Sequence, residues 1–345
     1  MDTTDMLEAT INDIVQKGRG ILAADESTPT ITKRFNALNI ESTEQSRCAW
    51  RSLLVTTPGV GDYLSGVIFY EETLQQKTAN GCTVGEAAWR QKIVPGIKAD
   101  KGVIDLALSP GDKITQGLDG LAERLQSYKK LGARFAKWRE VYPVGPSTPT
   151  QHAIEAKAEM LARYAAVCQS EGVVPIVEPE VLMDGDHDID RHARVTEAVL
   201  HAVFHALHRH HVVLELIILK PNMVLPGKDC LQQAPPDEVA AATLKVLKHT
   251  VPAAVPTINF LSGGQEAEEA TVNLNEINRQ GAGLPWHLSI SYGRALQQPA
   301  MQIWQGKDEN VPAAQQALFK RAQLNHLAML GRYEPAMEDV SWAHL

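Results

Sequence analysis

The sequence has no long hydrophobic run. The best stretch, residues 212–219, is short and contains Glu215, whereas a membrane-spanning helix needs roughly 18 consecutive apolar residues. A soluble chain is expected. Cysteine is scarce: Cys48, Cys82, Cys168 and Cys230 lie tens of residues apart and never form CxxC. That leaves no pair spaced for zinc or a redox disulfide, and four reduced thiols are expected. Positive charge is in deficit. The 33 Lys and Arg face 41 Asp and Glu, a net charge of −8, which repels a phosphate polymer or an anionic bilayer. No nucleic acid and no membrane partner is expected. The opening MDTTDMLEAT is acidic and lacks both the basic-then-apolar order of a secretory signal and the arginines of a transit peptide, which predicts a cytoplasmic protein.

What is present is core-forming material. Of 345 residues 44% are hydrophobic, which excludes a disordered chain. At about 150 residues per domain the length permits two domains, but an α/β barrel commonly spends 250 or more on one. An N-terminal helix is expected from Leu7, Ile11, Ile14 and Val15 on one face, with Asp5 and Glu8 as a capping pair and Gly18 as its stop. Eight short apolar runs follow: GILAAD, GVIFY, IVPGIK, RFAKWR, VVPIVEPE, LELIILKP, TINFLS and LSISYGR. They lack the alternation of a half-exposed sheet, and segments of helical periodicity separate them. Continuous apolar strands imply a parallel sheet sheathed by helices, and eight βα units close a barrel. The fold class expected is α/β, a single-domain (β/α)₈ TIM barrel over residues 1–330, followed by a C-terminal tail, 331–345.

Alternation along a strand sorts the charges, because residues two apart share a face. It pairs Lys137 with Arg139, pairs Glu178 with Glu180, and sets Lys220 in line with Ile218. Asp25, Lys98, Ser262 and Arg294 occupy comparable C-terminal strand ends. An unpaired charge on the helix-covered face would be costly, so these groups are expected to converge at the barrel mouth. A structural ion-pair cluster is the plainer alternative for any one of them, but three lysines and three carboxylates exceed what closure needs.

A lysine of pKa about 10.4 is neutral in only about one molecule in 2,500 at pH 7. A neighbouring cation and an apolar strand disfavour the ammonium and free the amine to attack a ketone. The resulting imine accepts the electrons of a breaking C–C bond without a metal or other cofactor. Glu178, Glu180 and Asp25 are candidates for the acid/base steps. Spacing leaves Lys98, Lys137 and Lys220 equally open as nucleophile. The turn Ser262-Gly263-Gly264 before a helical stretch fits a phosphate cradle at a helix N-terminus, and Gly293-Arg294 adds amides and a planar cation.

Three other motifs read as structural. GRGILA precedes its strand, whereas a dinucleotide turn must follow one. Asp184, Asp186 and Asp188 lack the glycine and glutamate of a calcium loop, since Ile189 and Val195 stand there. His201, His205 and His208 share a helix face, but Val195, Val199, Val203, Phe204 and Leu207 fill the opposite arc, which turns the histidines to water.

In order, the stretches ILAADEST, GIKADKG, TQGLDGL, FAKWR, IVEPE, DGDHD, LKPNMV, FLSGGQ and SYGRAL resemble those of class I fructose-bisphosphate aldolases, from the first strand to beyond Arg294. The resemblance implies a metal-independent (β/α)₈ enzyme, usually a homotetramer, that cleaves fructose 1,6-bisphosphate reversibly into dihydroxyacetone phosphate and glyceraldehyde 3-phosphate. By its motifs Lys220 would form the Schiff base, Lys137 would be the neighbouring cation, and Glu178 the acid/base of carbinolamine chemistry. Glu180 would hold the lysine network and Asp25 would take the C4 hydroxyl proton. Ser262, Gly263, Gly293 and Arg294 would bind the 1-phosphate. Ser27, Thr30, Arg34, Lys98 and Arg139 would serve the rest of the sugar phosphate and its 6-phosphate. Some members also bind the cytoskeleton, so a scaffold role beside catalysis is an alternative, as is a transaldolase-like transferase. Pro29 and Thr30 stand where the family usually has Gly and Ser. Leu345 stands where animal members carry a tyrosine that assists enamine protonation, so slow protonation or product release is expected.

Overall fold

In the computed structural model, residues 2–339 are described. In barrel order, the strands are β1 (Gly20–Ala24), β2 (Leu64–Phe69) and β3 (Val94–Lys98), then a small hairpin of β4 (Val103–Asp105) and β5 (Lys113–Thr115) outside the barrel. There follow β6 (Phe135–Tyr142), β7 (Val174–Val181), β8 (Ile218–Leu219), β9 (Thr257–Phe260) and β10 (His287–Tyr292). All but β4 and β5 pair in parallel around a closed ring, β1-β10-β9-β8-β7-β6-β3-β2. All eight expected strands are present, and both faces are withdrawn from water: every residue of β1, β2, β7 and β9 is buried.

The helices are α1 (Thr3–Ile14), α2 (Thr28–Asn36), α3 (Glu44–Thr56), α4 (Glu71–Gln75), α5 (Val84–Arg90) and α6 (Leu121–Lys130). After these come α7 (Gln151–Ser170), α8 (Ile189–Arg209), α9 (Pro236–Thr250), α10 (Ala267–Gln280), α11 (Arg294–Trp304) and α12 (Val311–Met329). None is long and apolar enough to cross a membrane.

The first helix forms as expected but is capped differently. Asp2 and Asp5 make the capping box, not Asp5 and Glu8, because the helix begins at Thr3 and the reciprocal pair must flank its first turn. Its apolar stripe has a definite job. Leu7, Ile11 and Ile14 pack against Ile21, Ile68, Val94, Phe135, Val174, Ile176 and Ile218, and the Ser65 hydroxyl donates to Ile14 O at 2.7 Å. The helix therefore stoppers one end of the barrel, each buried aliphatic contributing roughly 1.5–3 kcal/mol. The opposite, C-terminal end stays open for chemistry.

The run LELIILKP is shorter as strand than its composition implies. Leu214–Leu216 forms a 3₁₀ turn and only Ile218–Leu219 is ladder. After Lys220 N bonds Val177 O at 2.8 Å, Pro221 offers no N–H to a neighbour and only its O is used, accepting from Leu261 N at 3.1 Å, so the strand ends.

The rule that charges avoid the outer face has one exception. On β6, alternation sends Glu140 outward, where it is buried and accepts from Trp138 Nε1 at 3.0 Å and Thr115 N at 3.1 Å. Nearby, fully buried Lys157 of α7 donates to Val141 O at 2.8 Å and faces Asp112 at 3.8 Å. Asp112 in turn accepts from the Thr150 hydroxyl at 2.8 Å. This polar cluster fastens the β4–β5 hairpin to the barrel, and burial pushes the Glu140 carboxyl up to about 7.

Candidate active site

Alternation and register together carry the charged side chains inward. In the β3–β6 pairing Lys98 stands beside Lys137, and in the β6–β7 pairing Arg139 stands beside Glu178. Asp25 and Lys220 follow β1 and β8 by one residue. At the mouth they share a cavity of about 700 Å³ that is also lined by Ser27, Thr30, Arg34, Lys98, Arg139, Glu180, Ser262, Gly263, Gly293 and Arg294. The structure thus brings together all fourteen residues singled out from the sequence.

Lys137 sits at the centre. Its Nζ lies 3.0 Å from Asp25 Oδ2, 3.4 Å from Asp100 Oδ2 and 3.4 Å from Glu178 Oε2. Burial favours loss of its proton, but these three carboxylates overcome that and hold the ammonium well above its usual pKa. Glu178 reaches the other way too, with Oε1 3.1 Å from Lys220 Nζ. Burial opposes the charge of Asp25, yet Lys137, Lys220 and Lys98 keep that carboxyl far below the usual carboxylate range. Lys98 pairs with Asp100 and also donates to its backbone oxygen at 2.8 Å. Burial and the neighbouring Lys137 lower its pKa against the pull of Asp100.

Crowding of lysines alone does not describe this site, because as many carboxylates interleave them. Lys137 is a cation fixed by its neighbours, a permanent positive charge beside Lys220 and Asp25. Arg139 is paired with Glu180 through its Nε, remains 41% exposed and lines the cavity.

The glycine turn departs from expectation in one respect. Ser262–Gly264 does not open α10: the helix starts at Ala267 behind Glu266, the cap residue, whose N–H donates to Glu269 Oε2 at 3.2 Å. The helix N-terminus offered to an anion is that of α11, where Gly293 is the cap and Arg294 the first residue. Gly263 and Gly264 have φ of +59° and +96°, a region glycine enters without strain. Arg294 Nη2 donates to Gly264 O at 2.7 Å.

Three contributors escaped the sequence reading. Asp100 lies two residues past Lys98, so the alternation rule applied beyond the strand would have found it. Glu26 and Arg51 have no such signal. Arg51, 2% exposed on α3, donates through Nε to Ala24 O at 2.7 Å and through Nη2 to Glu26 O at 3.1 Å, the carbonyls on either side of Asp25. The same Nη2 reaches Glu26 Oε2 at 2.6 Å. Arg34 Nη1 and Gln297 Nε2 donate to Glu26 Oε1 at 2.5 and 2.9 Å. Glu26 therefore binds α2, α3 and α11 to the end of β1.

Asp188 caps α8 by accepting from Arg191 N at 2.7 Å. His201, His205 and His208 are exposed, opposite buried Val195, Val199, Val203, Phe204 and Leu207. Leu345 and the rest of 340–345 lie outside the described residues.

The family model described as fructose-bisphosphate aldolase class-I matches residues 6–344. A cytoplasmic isozyme of fructose-bisphosphate aldolase from Spinacia oleracea is 53% identical over 96% of this chain and 92% of its own. The cytosolic fructose-bisphosphate aldolase 4 of Arabidopsis thaliana is 54% identical over 92% of this chain and 81% of its own. The solved fructose-bisphosphate aldolase of Plasmodium falciparum superposes with a TM-score of 0.95 at 48% identity, covering 96% of each chain. With that span and that barrel, the chain belongs to the class I fructose-bisphosphate aldolase family.

Proposed function

We propose that Lys220 is the nucleophile of a reversible aldol cleavage that splits fructose 1,6-bisphosphate into dihydroxyacetone phosphate and glyceraldehyde 3-phosphate. The observation that carries this reading is the Lys220–Glu178–Lys137–Asp25 chain of contacts at the floor of a cavity rich in cations. Glu178 takes a proton from Lys220, and the freed amine adds to the C2 ketone. The protonated Glu178 then returns its proton to the carbinolamine hydroxyl, which leaves as water and produces an iminium.

Asp25 removes the C4 hydroxyl proton while the C3–C4 bond breaks. The electron pair of that bond flows to the iminium nitrogen and leaves an enamine as glyceraldehyde 3-phosphate departs. A proton delivered to C3, then water at C2, releases dihydroxyacetone phosphate and restores Lys220. The fixed ammonium of Lys137 stabilises negative charge developing on the oxygens of the reacting centre. Glu180 holds Arg139 in place. Ser262, Gly263, Gly293 and Arg294 bind the 1-phosphate, and Ser27, Thr30, Arg34, Lys98 and Arg139 serve the remainder of the substrate.

Borohydride reduction in the presence of substrate, followed by peptide mapping, tests the assignment: the sugar phosphate is expected on Lys220. Modification of Lys98 or Lys137 in its place would reverse the roles. Family membership also supports a homotetramer, a cytoplasmic location and a cytoskeletal partner, for which sedimentation, cell fractionation and filament co-pelleting are the tests.

A further inference from the structure

The turn Ser262–Gly264 is approached by a second cation besides Arg294. Lys228 lines the same cavity. A Cβ built on Gly264 would lie 2.9 Å from Lys228 Nζ and 3.4 Å from Arg294 Nη2, so both cations stand over this one glycine. No β-carbon separates them from its backbone.

Lys228 is delivered there by an anchored segment. Leu225 N donates to His192 Nδ1 at 3.2 Å, Gly227 N to His187 O at 2.8 Å, Lys228 N to Met183 O at 2.8 Å and Asp229 N to Gly185 O at 2.9 Å. The chain after β8 is thus laced to the chain after β7, and the Lys228 backbone is fixed. Its ammonium is held only loosely. The one ion-pair partner found among the described residues is Asp184, at 3.4 Å, with the lysine side chain 43% and the aspartate 71% exposed. An exposed pair at that distance contributes little, whereas a phosphate dianion flanked by Arg294 offers twice the charge in a partly enclosed site.

We propose that Lys228 is a substrate-binding residue of the phosphate subsite at Ser262–Gly264, exchanging its Asp184 contact for a ketose phosphomonoester. Lys228 and Arg294 together match the two negative charges of the dianion, and Asp184 competes with the ligand for Lys228. The subsite thereby selects for a fully ionised phosphate at this end of the sugar. The inference rests on the functional reading above, which assigns a phosphate to this turn.

The test is steady-state cleavage of fructose 1,6-bisphosphate, with inorganic phosphate as competitive inhibitor, by Lys228→Met, Lys228→Arg and Asp184→Asn variants. Lys228→Met is expected to raise KM and the phosphate inhibition constant about fivefold to tenfold with kcat within about twofold, and to flatten the dependence of KM on salt. Lys228→Arg is expected to retain the parent KM, and Asp184→Asn to lower it. Equal KM and equal phosphate inhibition in the parent and Lys228→Met overturn the proposal. If Lys228→Met does not fold, an unchanged KM in Asp184→Asn overturns it instead. Borohydride trapping of dihydroxyacetone phosphate on Lys220 of the parent separates the two levels. Absence of trapping defeats the functional reading itself, whereas trapping with unaltered Lys228→Met kinetics defeats only the role of Lys228.

Discussion

The Nζ of Lys220 stands 3.1 Å from Oε1 of Glu178, and each of these side chains is 5% exposed. The second oxygen of the same carboxylate faces Lys137 at 3.4 Å. A single carboxylate therefore lies between the lysine that must lose its proton and the lysine that must keep one.

Replacing Glu178 by Gln removes the acceptor and leaves a carboxamide of the same shape. The expected outcome is a fall in kcat of about 10²- to 10⁴-fold, the usual range for a general acid/base group, with KM little changed. Rapid-quench trapping should show the loss in formation of the Lys220 adduct. A carboxamide variant that formed the adduct at the parent rate would remove Glu178 from the proton path.

Arg51 acts on the site without touching it. Arg51→Met withdraws the donors to Ala24 O, Glu26 O and the Glu26 carboxylate, and leaves a buried acid with fewer partners. Breaking a buried pair in this way costs about 3–5 kcal/mol, to be read by urea unfolding. Because the carbonyls flanking Asp25 are released, kcat should also fall in the fraction that stays folded. A stable variant of full activity would show that β1 holds Asp25 without this brace.

The Glu140 carboxyl predicts a pH-dependent stability of definite sign. Its pKa is near 7 in the folded barrel and about 4.3 in an unfolded chain. The folded state thus binds the extra proton, and the stabilisation is complete below about pH 4 and is lost as pH rises to 7. Glu140→Gln keeps the shape without the charge, and because its amide nitrogen cannot accept an N–H it gives up one of the bonds from Trp138 Nε1 and Thr115 N at every pH alike. Relative to this variant, the parent should lose on the order of 3 kcal/mol between pH 4.5 and 7.5, measured by chemical denaturation at each pH. A difference that stayed flat or grew with pH would contradict the burial argument.

Gly264→Ala places a methyl group between Lys228 and Arg294 at φ +96°. The strain is on the order of 1–3 kcal/mol, and the cations must part. KM for the bisphosphate should rise at least about tenfold while thermal stability falls by a few degrees. Unaltered KM would mean that phosphate does not settle over this turn.

Much of the architecture was legible in the chain because its signals are local. Period-two alternation in RFAKWR and VVPIVEPE assigned Lys137, Arg139, Glu178 and Glu180 to the inner face, and the repeat of eight apolar runs allowed one closed ring. The glycine turn and Arg294 were recognisable by residue type. Less legible were effects that depend on where a strand or helix ends. A 3₁₀ turn at Leu214–Leu216 and Pro221 together left β8 two residues, and α10 begins at Ala267, apart from the phosphate turn. Glu140 broke the outward rule because its partners, Thr115 and Trp138, come in part from a hairpin whose docking no local pattern specifies.

The sequence by itself determined the eight strands of the barrel, the inward face of Lys137, Arg139, Glu178 and Glu180 and the chemistry those charges permit, because a residue's side of a strand follows from covalent geometry alone. Only the tertiary structure decided that Lys137 is enclosed by Asp25, Asp100 and Glu178, that Arg51 braces β1 from α3, and that Lys228 meets Arg294 over Gly264. Those pairings join residues far apart in the chain. Their distances are set by closure of the barrel and by the packing of its helices, and at a few ångströms in a buried site such distances fix which groups keep a proton.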